Sequence, residues 1–99
     1  MLDLTDEQLE EVRRILRSQL PVESQVYVFG SRAKMTARPF SDLDLLIREI
    51  EHPISYNTIS LLQHAFSESD LPFMVDLVEE KKISEEFKAA ISPQLIQIS

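Results

Sequence analysis

The sequence contains no cysteine and only one glycine among its 99 residues. The lack of cysteine excludes disulfide bonds, thiolate metal ligands and a thiol nucleophile together. Because Gly30 is the single glycine, most turns must be formed by Pro, Ser, Asp and Asn. We expect Gly30 at a point where the backbone approaches another group closely or takes a positive φ.

Long apolar runs are also lacking. No run approaches the ~20 apolar residues that a membrane-spanning helix requires, and the acidic start of the chain is unlike a basic signal sequence. We therefore expect a cytoplasmic protein without membrane association. A chain of 99 residues is enough for one domain and too short for two, which predicts a single domain over residues 1–99.

Basic residues are scarce relative to acidic ones. Ten Lys and Arg face seventeen Asp and Glu, for a net charge of −7. Phosphate backbones are held by Lys and Arg, so this balance argues against direct binding of nucleic acid. An acidic chain suits metal binding or a basic partner, although solubility is the commoner reason for such a composition.

Three helices are predicted from caps and apolar spacing. Thr5, followed three residues later by Gln8, fits a capping box and begins a helix over residues 5–20. Ser55 and Ser84 are suited to cap two further helices, the second of them short. Apolar residues recur at helical spacing in the first two helices: Leu9, Val12, Ile15, Leu16 and Leu20, then Ile59, Leu62 and Phe66.

Four β-strands are predicted from runs of β-branched and other apolar residues. The first covers residues 25–29 and leads into Gly30, and the second covers residues 43–47. Residues 73–78 form a third strand, and residues 95–98 a late edge strand. Together with the helices, this order predicts an α/β (α+β) domain in which a small mixed β-sheet is covered by helices.

Asp42 and Asp44 are separated by one residue at the start of the second predicted strand. In a strand, residues i and i+2 project from the same face, ~6.5–7 Å apart. Two carboxylates on one face repel each other, and a cation relieves the repulsion. Mg²⁺ and Mn²⁺ suit such oxygen ligands and also bind phosphate oxygens. Taken alone, two acids at this spacing are more often a solvated strand end than a metal site.

Asp76 is the third candidate ligand. It lies within the apolar run of the third predicted strand, and an ionised carboxylate in a core is costly unless it is paired or bound to a metal. Two alternatives remain. Asp76 faces water at a strand edge, or it pairs with an arginine such as Arg32 or Arg48.

Gly30 and Ser31 directly follow the first predicted strand. A turn at this place can direct backbone N–H groups and a hydroxyl at an anion. Arg32, Lys34 and Arg38 follow within a few residues, and cations beside such N–H groups suit a triphosphate. An ordinary strand-ending turn followed by solvated loop charges accounts for the same residues.

The stretch from Gly30 to Asp44 resembles the signature of the nucleotidyltransferase superfamily that includes DNA polymerase β. The pattern is Gly-Ser, ten further residues and then Asp-x-Asp. Within that superfamily the chain is most similar to the minimal nucleotidyltransferases, antitoxins that are usually paired with HEPN-domain toxins. The resemblance extends to the leading helix, the strand before Gly30 and a late aspartate, here Asp76, so it covers most of the chain.

This resemblance implies a polymerase β-like nucleotidyltransferase fold and an ATP-dependent enzyme. Three carboxylates would be catalytic and would bind two Mg²⁺ (or Mn²⁺) ions: Asp42, Asp44 and Asp76. Three residues of the turn would bind the nucleoside triphosphate: Gly30, Ser31 and Arg32. Some members of this family transfer AMP to a tyrosine of the HEPN toxin and so silence its RNase activity. The resemblance therefore also implies a HEPN toxin as partner in a hetero-oligomer.

Other functions remain open. Family members usually carry a glycine where this chain has Met35, and a long side chain is strained there if φ is positive. With a weakened site, the chain would be a non-catalytic antitoxin that neutralises its partner by complex formation. A structural metal-binding domain is a third function, which the Gly-Ser turn disfavours. For any partner, we expect the apolar residues of segment 91–98 to be exposed at an edge strand and to form the docking surface.

Overall fold

The computed structural model describes residues 2–21 and 23–99, which form three α-helices and a four-stranded sheet. The sheet order is β3-β2-β1-β4, with β1 antiparallel to β2 and β4, and β2 parallel to β3. This confirms the predicted mixed sheet covered by helices. The helices are α1 (Asp6–Gln19), α2 (Tyr56–Ser67) and α3 (Glu85–Ile91), and the strands are β1 (Gln25–Phe29), β2 (Leu43–Arg48), β3 (Val75–Glu79) and β4 (Ile96–Gln97).

Each helix begins at the capping residue that the sequence predicts. The Thr5 hydroxyl accepts a hydrogen bond from the Gln8 backbone N–H at 3.1 Å, and the Gln8 side chain accepts one from the Thr5 N–H at 3.0 Å. Ser55 and Ser84 cap α2 and α3 in the same way. These side chains satisfy N–H groups that the first turn of a helix leaves unpaired. Among the described residues, no helix has the length and apolarity to cross a membrane.

The alternating side chains of β2 pack on both faces of the sheet. Those on one face join the main core beneath α1 and α2, and those on the other face join a smaller cluster that includes Ile91 of α3. Asp44 shares the second face with Leu46, because residues i and i+2 of a strand project from the same side. The main core contains side chains from both helices and from the sheet, among them Val12, Leu16, Val28, Leu43, Leu45, Ile47, Leu62 and Phe66.

Two segments differ from the sequence prediction. β3 begins at Val75, two residues later than predicted, and lies at an edge of the sheet. The expected exposure of segment 91–98 is wrong, because Ile91 packs in the smaller cluster and Ile98 in the main core. β4 is an edge strand, as predicted, and pairs with β1. This segment therefore contributes to the cores and does not offer the expected apolar docking surface.

Candidate active site

Three aspartates lie together at one end of the sheet. The parallel register of β2 and β3 places Asp44 directly opposite Asp76. Adjacent strands are about 4.8 Å apart, so the two side chains are neighbours on one face. Asp42 lies one residue before β2 begins. The fold thus brings together the three carboxylates that the sequence singled out.

Asp44 is the most confined of the three aspartates, because it is half-buried whereas Asp42 and Asp76 are exposed. Burial raises the pKa of Asp44 above its ordinary value, and the negative charges of Asp76 and Asp42 raise it further. A cation between these carboxylates would offset the repulsion. The electrostatics of the cluster therefore favour cation binding.

The surroundings of Asp76 differ from the predicted buried strand. Because β3 is an edge strand, Asp76 faces solvent, which is the first of the two alternatives considered for it. The arginines considered as its partners have other contacts. Arg48 forms an ion pair with Glu80 at 2.7 Å, and Arg32 donates hydrogen bonds to backbone carbonyls.

The chemistry of this cluster fits a hard divalent cation, since carboxylate oxygens are the ligands that Mg²⁺ and Mn²⁺ prefer. In the part of the chain that the structure describes, no group of three acidic, histidine or cysteine side chains is arranged to hold a metal ion at once. The backbone register already places Asp44 beside Asp76.

Gly30 packs directly against the site. Its φ is +77°, in the left-handed region that residues with a side chain rarely adopt. A Cβ atom at Gly30 would collide with the carboxylate of Asp44. Both expectations for the single glycine are confirmed, because it has a positive φ and also approaches another group closely.

Gln94 is a site neighbour that sequence reasoning missed. The Gly30 backbone N–H donates a hydrogen bond to Gln94 Oε1 at 2.9 Å. Gln94 lies in the 3-10 turn that follows α3 (Ser92–Gln94), and no local pattern marks a contact across 64 residues. An anion reaches the Gly30 N–H only if the Gln94 side chain moves aside. The half-exposed Ser31 lies beside that N–H group.

Arg32 has a different environment from the one expected for a phosphate ligand. It is 4% exposed, and its guanidinium stacks 4.1 Å from the centre of the Phe73 ring. A phosphate contact would break several of its hydrogen bonds, so the geometry indicates that Arg32 holds the loop between β1 and β2. Its nitrogen atoms donate to three backbone carbonyls at 2.8 to 3.2 Å: those of Asp3, Pro39 and Ser41.

Met35 has a φ of 60°. This is the condition under which we expected strain, because glycine adopts a positive φ without a steric cost. The side chain of Met35 is half-exposed, and Lys34 and Arg38 in the same loop are exposed. The loop is therefore built on a backbone conformation that favours glycine at a position occupied by methionine.

A cavity of about 570 Å³ opens beside Asp42 at the β3 edge of the sheet. Its walls come from the C-terminal half of α2, from the loop before β3 and from the start of β3. The lining is mostly apolar, with a few polar groups, and includes Phe40, Asp42, Gln63, Phe66, Ser69 and Met74.

Comparisons with known proteins agree with this fold. The nucleotidyltransferase domain family matches residues 9–97. A probable protein adenylyltransferase MntA from Haemophilus influenzae is 43% identical over 90 residues, which are 91% of this chain and 77% of that protein.

Two solved structures have a similar fold. A chain in a crystal structure of a toxin-antitoxin with AMP-PNP has a TM-score of 0.75 and 23% identity, over 92% of this chain and 72% of that one. A chain in the structure of a tri-AMPylated Shewanella oneidensis HEPN toxin in complex with MNT antitoxin has a TM-score of 0.66 and 22% identity, over 92% and 68%. At these identities the likeness establishes the fold.

Proposed function

The chain belongs to the nucleotidyltransferase domain family, and from that premise we propose that it is the antitoxin of a HEPN-domain toxin. As a protein adenylyltransferase, it transfers AMP from ATP to a hydroxyl of the toxin, a tyrosine hydroxyl. The observation that carries the proposal is the cluster of Asp44 with Asp42 and Asp76, beside the turn at Gly30 and Ser31. The similarity to a probable protein adenylyltransferase supports the reaction.

The triphosphate binds at the turn after β1, where a backbone N–H group and a hydroxyl, rather than a cationic side chain, contact it. Ser31 follows Gly30 at the end of β1, and its hydroxyl and backbone N–H are the groups for the β- and γ-phosphates. Arg32 already donates hydrogen bonds to backbone carbonyls, so we assign it to shaping the loop rather than to binding phosphate. Lys34 and Arg38 are exposed and supply positive charge nearby.

The three aspartates hold the reacting end of the nucleotide. Two Mg²⁺ (or Mn²⁺) ions bound by them would offset the charge on the attacking and leaving oxygens. The acceptor oxygen forms a bond to the α-phosphorus, the α–β bridging bond breaks, and pyrophosphate leaves with the electron pair. Asp76 is exposed at the sheet edge and takes the proton of the acceptor hydroxyl. ATP and Mg²⁺ are both supplied in the cytoplasm, where this reaction takes place.

The test uses a purified HEPN-domain toxin as the candidate acceptor. Incubated with ATP, Mg²⁺ and the wild-type chain, that protein should gain mass in whole AMP units. The double variant Asp42→Asn, Asp44→Asn should stop the gain, because it removes the charges that hold the metal, and should still form the complex. No mass gain with the wild-type chain would refute the proposed reaction.

The same double variant distinguishes the enzyme from a non-catalytic antitoxin. Expressed with the toxin in cells, it should bind the toxin and fail to protect against it. Full protection by the double variant would show that complex formation alone neutralises the toxin and that AMP transfer is dispensable.

A further inference from the structure

We propose that the cavity beside Asp42, here called the acceptor cavity, is the docking site for the segment of the partner protein that carries the acceptor hydroxyl. Its lining includes Phe40, Asp42, Gln63, Phe66, Ser69 and Met74. This inference rests on the proposed AMP transfer and adds the place and the chemistry of the bound segment.

The order of the strands sets the direction from which the acceptor arrives. Gly30 follows β1, Asp44 lies on β2, and Asp76 lies opposite it on β3, so these residues form a row across three adjacent strands. With the β- and γ-phosphates at the β1 end, pyrophosphate leaves toward β1. In an in-line displacement the attacking oxygen is opposite the leaving group. The acceptor must therefore approach from the β3 side. The acceptor cavity opens at that edge on the α2 face of the sheet and meets the aspartate cluster at Asp42, while Asp44 and Asp76 project from the other face.

The rim of the acceptor cavity exposes large apolar side chains. Phe40 is 78% exposed and Met74 is 74% exposed, and both line the cavity. Phe40 also borders a second hollow together with Met35, so the apolar surface continues along the loop. Contiguous exposed apolar surface next to a reaction centre is typical of a site that a partner covers.

The polar groups of the cavity define the occupant further. Of the lining residues that the structure describes, Asp42 alone is charged, and the exposed Glu68 and Asp70 flank Ser69 in the adjoining loop. Gln63 donates a hydrogen bond to the Val75 carbonyl at 2.9 Å, which ties α2 to the edge strand. The occupant that fits is a segment with an apolar or aromatic side chain next to the acceptor hydroxyl and with basic residues on its flanks.

The experiment compares Phe40→Ser and Met74→Ser with a matched control, Tyr56→Ser. All three side chains are exposed in the folded protein, Tyr56 at 81%, so none of these changes removes core packing. Tyr56 begins α2, about 10 Å along the helix from Gln63, the cavity residue nearest to it on that helix. Three quantities are measured for each variant: affinity for the purified HEPN-domain toxin, kcat/KM for AMP transfer to it, and affinity for fluorescent ATP with Mg²⁺.

We expect each cavity variant to lower partner affinity and kcat/KM by about tenfold, with ATP affinity unchanged, and Tyr56→Ser to match wild type. Unchanged partner affinity in both cavity variants overturns the inference, even if wild type transfers AMP. Weakened ATP affinity with unchanged partner affinity also overturns it and assigns the cavity to the nucleoside. If wild type binds the partner without transferring AMP, the proposed function fails, while lower affinity of the cavity variants still supports the docking site.

Discussion

The carboxylate of Asp44 lies so close to Gly30 that a β-carbon on Gly30 would collide with it. The contact follows from the pairing of β1 with β2, in which Phe29 is opposite Asp44 and Gly30 is the next residue. The turn that we propose for phosphate and the carboxylate that we propose for metal are thus adjacent, because one hydrogen-bonded register sets both positions. The absence of a side chain at Gly30 is what permits this adjacency.

Gly30→Ala tests this contact. The variant should lower the free energy of unfolding by about 1–3 kcal/mol, through the unfavourable φ and the collision together. Asp44→Ala removes the colliding carboxylate, so the double variant should cost about 1 kcal/mol less than the sum of the two single variants. Urea unfolding of the four proteins measures this difference. Additive costs would mean that the two residues do not clash.

Asp44→Asn tests the electrostatics of the aspartate cluster. Without divalent metal, the variant should be more stable than wild type by a few tenths to about 1 kcal/mol, because like charges opposite each other on adjacent strands are destabilising. Added Mg²⁺ or Mn²⁺ should raise the Tm of wild type and have little effect on the variant, since binding to the folded state alone stabilises it. Thermal unfolding with and without metal checks both effects. An equal metal response in the two proteins would remove the site from the mechanism.

Arg32→Lys separates the role of Arg32 in the loop from phosphate binding. A lysine ammonium cannot satisfy three backbone carbonyls and stack on a ring at once, so the variant should lose about 2–4 kcal/mol of unfolding free energy. Urea unfolding and ATP titration are the measurements. A large loss of ATP affinity with unchanged stability would restore Arg32 as a phosphate ligand.

The sequence predicts the local features of this structure, and the long-range contacts are the features that it does not predict. Caps and strand patterns are local, so Thr5, Ser55, Ser84 and the bounds of β1 could be predicted. The exposure of Asp76 depends on β3 being an edge strand, which is a property of long-range pairing. The contact of Gln94 with Gly30 arises in the same way, from chain packing rather than from any motif. The role of Arg32 was predicted from its charge and the family resemblance, neither of which reveals its burial beside Phe73.

Met35→Gly tests the strain in the loop. Glycine removes the steric cost of the positive φ and adds backbone entropy to the unfolded chain. The two effects oppose each other, so stability should change by no more than about 1 kcal/mol, while ATP affinity with Mg²⁺ should stay equal or rise. Isothermal titration of the two proteins with ATP and Mg²⁺ measures the affinity. Weaker ATP binding by the glycine variant would contradict our interpretation of this loop.

The ion pair between Arg48 and Glu80 makes stability depend on pH. Hydrogen bonds from Arg48 lower the pKa of Glu80 below its ordinary value, and the Arg48 guanidinium also stacks on the Tyr27 ring at 4.7 Å. A carboxyl group whose pKa is lower in the folded state stabilises that state fully above its unfolded-state pKa, about 4.3 for Glu. The contribution is lost as the pH falls through the folded-state pKa. The stabilisation that the Arg48–Glu80 pair provides is therefore lost only in acid.

Glu80→Gln should lower the free energy of unfolding by about 1–2 kcal/mol at pH 7, because it removes a charge-assisted pair that is only partly exposed. The difference from wild type should shrink as the pH falls below about 4, where the wild-type carboxyl also becomes neutral. Urea unfolding between pH 3 and 7 measures this trend. Glu85→Gln is the matched control, since Glu85 pairs with Lys88 at 3.4 Å with its side chain 89% exposed, and it should change stability by no more than about 0.5 kcal/mol. A Glu80→Gln deficit that stays constant across this pH range would show that packing, rather than the charge of Glu80, stabilises this side of the sheet.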